Sequence, residues 1–147
     1  MSDVLNSVQS KARSSGRFGE VRLDGARLAC RARDAAAEAW YEVHRDGSAW
    51  IVLLRTPDRW LSESIEGDML EGNDTAEELV DDELVEVGFR GKCQQVKHYR
   101  DDDRMYVFRT GIPPEGLADE AEGIATYLLA FEAAFAQLGD MQGSGKE

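Results

Sequence analysis

The sequence predicts an α+β fold, in which an antiparallel sheet of about five or six strands packs with helices and ends in a long C-terminal amphipathic helix. Apolar-rich stretches are interrupted by Asp-Gly pairs or by an acidic triplet, which indicates β-hairpins. Other stretches repeat apolar residues every three or four positions, as amphipathic helices do.

The length of the chain, 147 residues, is that of one ordinary domain. We expect this domain to span residues 18–138. The flanking stretches, QSKARSSGR at 9–17 and GDMQGSGKE at 139–147, are small and polar. They predict a mobile or partly helical N-terminal segment at 1–17 and a flexible tail at 139–147.

The first predicted hairpin has Asp24-Gly25 between GEVRL and ARLACRAR. Along the second run, small and apolar residues alternate with mainly basic ones: Ala26, Leu28, Cys30 and Ala32 against Arg27, Ala29, Arg31 and Arg33. This alternation favours a strand. The Ala, Leu and Arg residues also suit a helix, and DAAAEA follows directly. We interpret the run as a strand and residues 34–38 as a connection.

The strongest local signal is YEVHRDGSAWIVLLRTP, in which Asp46-Gly47 separates two apolar-rich runs. Asp-Gly is favoured in two-residue type I′ turns, because both central residues there have positive φ. With Asp46-Gly47 as that turn, Val43 lies opposite Trp50. The pairing predicts two faces: Tyr41, Val43, Trp50 and Val52 on one, and Trp40, Ile51 and Leu53 on the other. Because AWIVLL is apolar on both faces, we expect a central strand.

A third hairpin is predicted around residues 101–103, whose acids suit a turn between KCQQVKHYR and RMYVFRT. Met105 and Val107 alternate with Tyr106 and Phe108. The second strand of this hairpin is therefore apolar on both faces.

Residues 57–70 are predicted to form a helix. Thr56-Pro57-Asp58 resembles a helix start, with a hydroxyl N-cap, a proline at the first helical position and an acid in the first turn. Apolar residues then recur every fourth position: Leu61, Ile65 and Met69. The stretch SESIEGD also alternates as an edge strand would, so a strand stays open as the alternative.

The stretch DTAEELVDDELVE, Asp74–Glu86, holds seven carboxylates and no basic residue. Its apolar residues fall on one side of a helix: Ala76, Leu79, Val80, Leu84 and Val87. Most of its acids then lie on the solvent side: Asp74, Glu77, Glu78, Asp81 and Asp82. The density of charge therefore requires no bound cation.

Glu83 is the exception, because about 100° of rotation per residue places it within the apolar stripe. A buried carboxylate needs a partner. We interpret Glu83 as a buried charge that pairs with the neighbouring basic strands, which contain Arg90, Lys92, Lys97 and Arg100. The alternative is a catalytic acid that works with His98 or Arg100 in a cleft of the sheet.

The last helix has the most regular pattern. Its apolar residues follow a 4-3 spacing over three heptads: Leu117, Ala121, Ile124, Leu128, Phe131, Phe135 and Leu138. Between Gly123 and Leu138 only Glu132 is charged. Such a surface predicts contact with a second helix, most simply its copy in a homodimer through Leu128, Phe131 and Phe135. The alternative is a helix buried more deeply within the monomer.

The charge of the chain argues against several classes of partner. Its formal net charge is −12, and residues 58–86 carry twelve acidic and one basic side chain. Nucleic acids and anionic membranes need a clustered basic surface, so we expect neither as a partner. The start MSDVLNSVQS has no basic leader, and no run approaches the roughly 20 apolar residues of a membrane span. We predict a cytoplasmic protein.

The sequence contains no signature of catalysis or metal binding. Cys30 and Cys93 lack a CxxC spacing, and we interpret them as reduced, partly buried thiols. The terminal GSGKE lacks the spacing of a phosphate-binding loop, and neither HExxH nor G-x-S-x-G occurs. EGDMLEGNDTAEE lacks the ligand offsets of a calcium loop. We therefore predict no cofactor, no metal and no catalytic residue.

One segment resembles a known family. MYVFRTGIPPEGLADEAEGIATYLLAFEAAF, Met105–Phe135, reads as a strand, a proline-containing turn ending in Glu-Gly-Leu, and the final helix. It resembles the type III secretion chaperone-like fold of small acidic bacterial domains. The likeness covers residues 18–138 in the order of elements and residues 105–138 in pattern. It implies a final helix that packs on the sheet and often joins a dimer interface.

From these observations we expect a non-enzymatic, chaperone-like domain that is homodimeric and binds another polypeptide. An apolar surface would capture a strand or a helix, and the acidic rim would select a basic partner. The residues predicted to bind the partner are Trp40, Trp60, Leu61 and Tyr127. The competing hypothesis is a small enzyme with Glu83 as its working carboxylate.

Overall fold

The computed structural model describes residues 3–72, 75–117 and 119–142, and it confirms the predicted α+β fold. The helices and strands of these residues are α1 Asp3–Ser15, β1 Phe18–Asp24, β2 Arg27–Ala32, β3 Trp40–Asp46, β4 Ala49–Thr56, α2 Arg59–Gly72, α3 Ala76–Glu86, β5 Lys97–Arg100, β6 Tyr106–Gly111 and α4 Glu120–Phe135. Short 3₁₀ turns add Pro114–Gly116 and Gly139–Gln142. Asp74 and residues 143–147, for which we made predictions, lie outside the described residues.

The six strands form one antiparallel sheet in the order β1-β2-β3-β4-β6-β5. ARLACRAR contributes strand β2, as its alternation predicts. The predicted third hairpin joins β5 to β6, and β6 lies between β4 and β5. Strands β1 and β5 are therefore the two ends of the sheet.

The β3–β4 turn lies one residue later than predicted, at Gly47-Ser48. Gly47 takes a positive φ of 63°, which glycine adopts without strain. Val43 consequently pairs with Val52 instead of Trp50. Because the pairing moves by two positions, each side chain stays on its predicted face.

The α2 stretch is a helix, which decides against the edge strand. Its N-cap is Asp58 rather than Thr56, because the Asp58 carboxylate accepts a hydrogen bond from the Leu61 amide at 2.8 Å. The Thr56 hydroxyl accepts one from the Asp58 amide at 3.0 Å. Helix α3 begins with a capping box, in which Thr75 and Glu78 each accept a hydrogen bond from the other's amide.

One face of the sheet packs against the four helices, and α4 forms the centre of this core. Nine of its sixteen residues are buried, and α1, α3, β3 and β4 contact it. The largest fully buried side chains are Tyr41, Tyr127, Phe108, Phe131, Phe135, Leu28, Leu54, Leu61, Ile65, Leu84, Ile124 and Leu128. Each buried Leu, Ile or Phe contributes about 1.5–3 kcal/mol to folding.

Helix α1 and the second 3₁₀ turn belong to the same core. Leu5, Val8 and Ala12 of α1 are buried, and so is Met141 of the turn. The predicted domain limits at residues 18 and 138 are therefore too narrow. The N-terminal segment follows the helical alternative, and it packs on the domain instead of standing apart from it.

The opposite face of the sheet is covered by side chains rather than by a described helix. Ile51, Leu53 and Val107 form a small apolar cluster on it and are buried. An ion-pair network lies across this face, made by Arg27, Glu42, Arg55, Asp101 and Asp103. Arg109 and Asp46 form a separate ion pair on the same face. The aliphatic parts of the arginine side chains cover apolar surface, and Glu42, which contacts both Arg27 and Arg55, is buried.

Candidate functional site

A groove opens where the end of α2, the start of α3 and strand β5 meet. We call it the α2–α3–β5 groove, and its volume is about 280 Å³. The residues that line it are Glu66, Met69, Leu70, Thr75, Ala76, Glu77, Val96, His98 and Phe108. Most of the lining is apolar, and one carboxylate stands on the α2 wall and another on the α3 wall.

Three residues at i, i+4 spacing lie on one side of α2, and the last two of them, Glu66 and Leu70, line the groove. The Ser62 Oγ lies 3.0 Å from the His98 Nε2, and the Glu66 Oε2 lies 3.5 Å from the His98 Nδ1. Leu70 follows one turn later and is 82% exposed. It lies at the rim of the groove, one turn beyond the two helical turns of α2 whose side chains contact His98.

The floor of the groove is a stacked pair of rings. His98 and Phe108 are cross-strand neighbours on β5 and β6, with ring centroids 3.9 Å apart and planes inclined by 10°. Phe108 packs against Phe135 of α4, with centroids 5.4 Å apart. The core of the domain therefore fixes the floor in place.

Two acids of α3 hold the chain that leads into β5. The Cys93 amide donates a hydrogen bond to Asp81 at 2.6 Å, and the Val96 amide donates one to Glu77 at 2.8 Å. The sequence predicts both acids on the solvent side, which is wrong because residues 93–96 cross this side of α3. The bonds present Val96 to the groove beside His98.

The two strands at the ends of the sheet differ in whether side chains form hydrogen bonds with their backbone. On β1, the Val21 carbonyl accepts a hydrogen bond from the Arg13 guanidinium of α1 at 3.1 Å. On β5, no side chain of the described residues bonds the backbone of 97–100, and all four residues are exposed. An exposed strand edge is a template for another strand. The edge at β5 is therefore the accessible one, and it borders the groove.

Ser62, His98 and Glu66 stand in the order hydroxyl, imidazole, carboxylate that some hydrolases use. Ser62, however, is 2% exposed and is not part of the groove lining. Its hydroxyl lies inside the contact between α2 and β5, so it is not placed to attack a ligand in the groove. The three side chains instead fasten α2 to β5.

Of the four residues predicted to bind a partner, only Trp60 is exposed. It is 71% exposed on the outer side of α2, and the Arg59 guanidinium lies 5.7 Å from its ring centroid. Trp40, Leu61 and Tyr127 are buried, which corrects the prediction that they form a binding surface. Leu61 belongs to the apolar stripe that holds α2 on the core.

Neighbouring side chains cover the other two aromatic residues. The guanidinium groups of Arg22 and Arg31 lie 4.8 and 5.8 Å from the centroid of the Trp40 ring. Tyr127 packs edge-on against Phe89, with centroids 5.4 Å apart, and burial raises the pKa of its hydroxyl. Neither ring offers a free face to a partner.

The residues predicted for the homodimer interface, Leu128, Phe131 and Phe135, are fully buried within one chain. Phe131 contacts Tyr41 of the sheet edge-on, with centroids 6.1 Å apart. The prediction of a dimer through these residues is wrong, because α1 and α3 flank α4 in the monomer. The alternative of a deeply buried helix is confirmed.

Glu83 is half-buried, and its partner differs from the predicted one. The Gln137 amide donates a hydrogen bond to the Glu83 Oε2 at 3.1 Å, so pairing with the basic strands is wrong. His98 contacts α2 instead, and the Arg100 guanidinium lies 5.6 Å from the Tyr106 ring centroid. The structure therefore does not assemble Glu83 with His98 or Arg100.

Sequence reasoning missed Leu70 as a groove residue, and it named His98 only in the alternative of a catalytic cleft with Glu83. A signal for Leu70 was available, since it is a large apolar residue off the Leu61–Ile65–Met69 row, as Trp60 is. No such signal marks His98. Its role depends on α2 and β5 lying side by side, which the sequence does not specify.

The cysteines, the acidic clusters and the helices give no further candidate site. Cys30 and Cys93 are free thiols, the first buried and the second half-buried. Within residues 3–72, 75–117 and 119–142, no three His, Cys, Asp or Glu side chains are grouped to hold a metal ion. None of the helices in these ranges is long and apolar enough to cross a membrane. No protein-family model, curated protein or solved structure matches the chain.

Proposed function

We propose that this protein is a non-enzymatic binding module that captures an extended segment of another polypeptide at the α2–α3–β5 groove. One observation carries the proposal: an unguarded edge strand, β5, borders an apolar groove with an 82% exposed leucine, Leu70, at its lip. An exposed leucine beside an apolar groove enlarges the apolar surface that a bound side chain can contact.

Addition of a strand to β5 explains how both features would be used. The captured backbone would lie about 4.8 Å beyond β5 and bond its free edge. Every second side chain of the captured segment would then face the groove, next to Val96 and His98. A volume of about 280 Å³ is at the small end of ligand clefts. It suits one or two side chains of an extended segment rather than a folded partner.

The chaperone-like character expected from the family resemblance belongs to the same proposal, because both assign to this protein the capture of another polypeptide. A cytoplasmic location also remains a proposal. Its support is the pair of free thiols, Cys30 and Cys93, because reducing compartments keep such thiols unpaired.

Affinity capture from a native cell extract tests the proposal when wild type is compared with two matched variants. Leu70→Asp places a charge at the lip of the groove. Val85→Asp places the same charge on α3 at a residue that is equally exposed, at 78%, but does not line the groove. We expect a polypeptide that wild type and Val85→Asp retain and Leu70→Asp loses.

The same capture separates the groove from the exposed tryptophan on the outer side of α2. Trp60→Ala should retain the polypeptide, because Trp60 does not line the groove. Equal retention by wild type and Leu70→Asp would contradict the proposed site. Loss with Trp60→Ala alone would move the binding surface to the outer side of α2.

A further inference from the structure

Resting on the proposed function, we infer that the captured segment places a large apolar residue in the groove and a lysine or arginine two positions away, paired with Glu66 or Glu77. The chemistry of the partner follows from the positions of these two carboxylates.

The carboxylates lie on opposite walls of the groove. Glu66 of α2 has a half-exposed side chain, with one oxygen 3.5 Å from the His98 ring. Glu77 of α3 uses its Oε2 to accept from the Val96 amide. In the described part of the chain, its Oε1 accepts no hydrogen bond. Each wall therefore offers a carboxylate that a cation entering the groove can reach.

Basic residues of β5 do not neutralise these walls. Lys97 alternates with His98, so its side chain points to the opposite face of the sheet. Arg100 lies over Tyr106, with its guanidinium 5.6 Å from the ring centroid. The surrounding stretch, residues 58–86, has twelve acidic and one basic side chain. We call the large apolar residue of the captured segment the anchor. A cation beside it is attracted by contact with the two carboxylates and by the negative field of the surrounding residues.

The spacing follows from the pleat of a strand. Side chains two positions apart point the same way, about 6.5–7 Å from each other. If the anchor fills the apolar floor over His98 and Phe108, its neighbours on the same face point along the groove toward the charged walls. A residue one position away points to the other side of the added strand, and there it meets neither carboxylate.

Synthetic peptides test this chemistry directly. The host is seven residues long, with threonine at odd positions, leucine at the centre and the residue under test two positions to either side, so that centre and test residues share a strand face. Lysine, glutamine and glutamate versions are titrated into the labelled protein, and amide shifts of residues 70, 96 and 98 are followed by NMR. Exposed ion pairs strengthen binding only modestly. We therefore expect the lysine peptide to bind about 2- to 20-fold more tightly than the glutamine peptide, and the glutamate peptide more weakly still.

Variants of the protein test whether the preference for the lysine peptide comes from direct contact with Glu66. Glu66→Gln should weaken it and Glu66→Lys should reverse it toward the glutamate peptide. Glu71→Lys changes the net charge as Glu66→Lys does, but at an exposed residue of α2 outside the groove, so it should keep the lysine preference. Equal loss of the lysine preference in Glu66→Lys and Glu71→Lys would mean that the long-range field alone attracts lysine. That result would overturn the pairing.

A peptide with alanine at its centre separates this inference from the proposed function. Equal binding of the lysine, glutamine and glutamate peptides, all tighter than the alanine peptide, would overturn the pairing and leave the groove in place. Absence of saturable shifts with every peptide would overturn both. Shifts at residues 70, 96 and 98 that depend on protein concentration alone would identify a second copy as the occupant, which also overturns the inference.

Discussion

Removing the imidazole of His98 tests whether this side chain fastens α2 to β5 and so shapes the groove. His98→Ala deletes the group 3.0 Å from the Ser62 hydroxyl. It also deletes the ring stacked on Phe108, at a centroid distance of 3.9 Å. Because Ser62 is buried, its hydroxyl is left without that partner.

The expected loss of unfolding free energy follows from these two contacts. A buried hydroxyl without its partner costs about 1–3 kcal/mol, and a stacked aromatic pair contributes about 0.5–1.5 kcal/mol beyond area burial. His98→Ala should therefore lower the unfolding free energy by about 1.5–4.5 kcal/mol. Ser62→Ala removes the hydroxyl itself, so the double variant should cost less than the sum of the two single variants.

Urea unfolding followed by circular dichroism measures the four proteins of this cycle. His98→Phe is the matched control, because it retains a ring on Phe108 and removes the two ring nitrogens that contact Ser62 and Glu66. It should lose the polar part of the effect and keep the stacking part. Single variants whose costs add fully in the double variant, or which cost less than about 0.5 kcal/mol each, would refute the reasoning.

Three further predictions concern the rest of the fold. Burial raises the pKa of the Glu132 carboxyl, against the lowering effect of Arg17. The stability that this carboxyl contributes is present below its ordinary pKa of 4.5 and is lost as the pH rises through the folded-state pKa. Glu132→Gln should thus gain stability relative to wild type from about pH 4 to about pH 7, measured by urea midpoints. Phe131→Ala should cost about 3–5 kcal/mol, whereas Trp60→Ala should stay within about 0.5 kcal/mol of wild type in the same assay. Asp81→Ala should cost about 1.5–3 kcal/mol and speed hydrogen exchange of the Cys93 amide.

The sheet could be predicted from local signals because hairpins are specified by neighbours in sequence. The period of two in β3 and β4 assigns side chains to faces, and this assignment persists although the turn lies at Gly47-Ser48. The turn itself was misplaced because Asp46 also suits a strand end. There it pairs with Ala49 and accepts from the Arg109 guanidinium at 2.8 Å. A pattern thus predicts faces more securely than register.

Burial of particular side chains could be predicted only in part, because it depends on which elements meet. Helical periodicity places Glu83 in the apolar stripe, yet α3 buries only the narrow i, i+4 row of Ala76, Val80 and Leu84. Glu83 therefore lies at the border of the contact, where Gln137 of α4 reaches it. The width of a buried stripe is a tertiary property, and a single sequence does not specify it.

The candidate site shows the same limit more strongly. The acidic stretch predicts a charged helix, but the use of Glu77 and Asp81 as acceptors for the Val96 and Cys93 amides depends on a loop crossing α3. The exposure of Leu70 likewise depends on how α2 lies beside β5. The apolar pattern of a helix predicts which side it buries. A groove forms at the borders between buried sides of neighbouring elements, and the pattern does not specify where those elements meet.

Amide hydrogen exchange of β5 tests the central claim most directly, with wild-type protein measured alone and saturated with the captured polypeptide. The account predicts slower exchange in residues 97–100 on binding, because an added strand bonds this edge. It predicts no change of exchange in β1, where the Val21 carbonyl already accepts a hydrogen bond from Arg13 of α1. Slower exchange confined to β1, or to the open face of the sheet around Ile51 and Leu53, with unchanged exchange at 97–100, would contradict capture at the α2–α3–β5 groove.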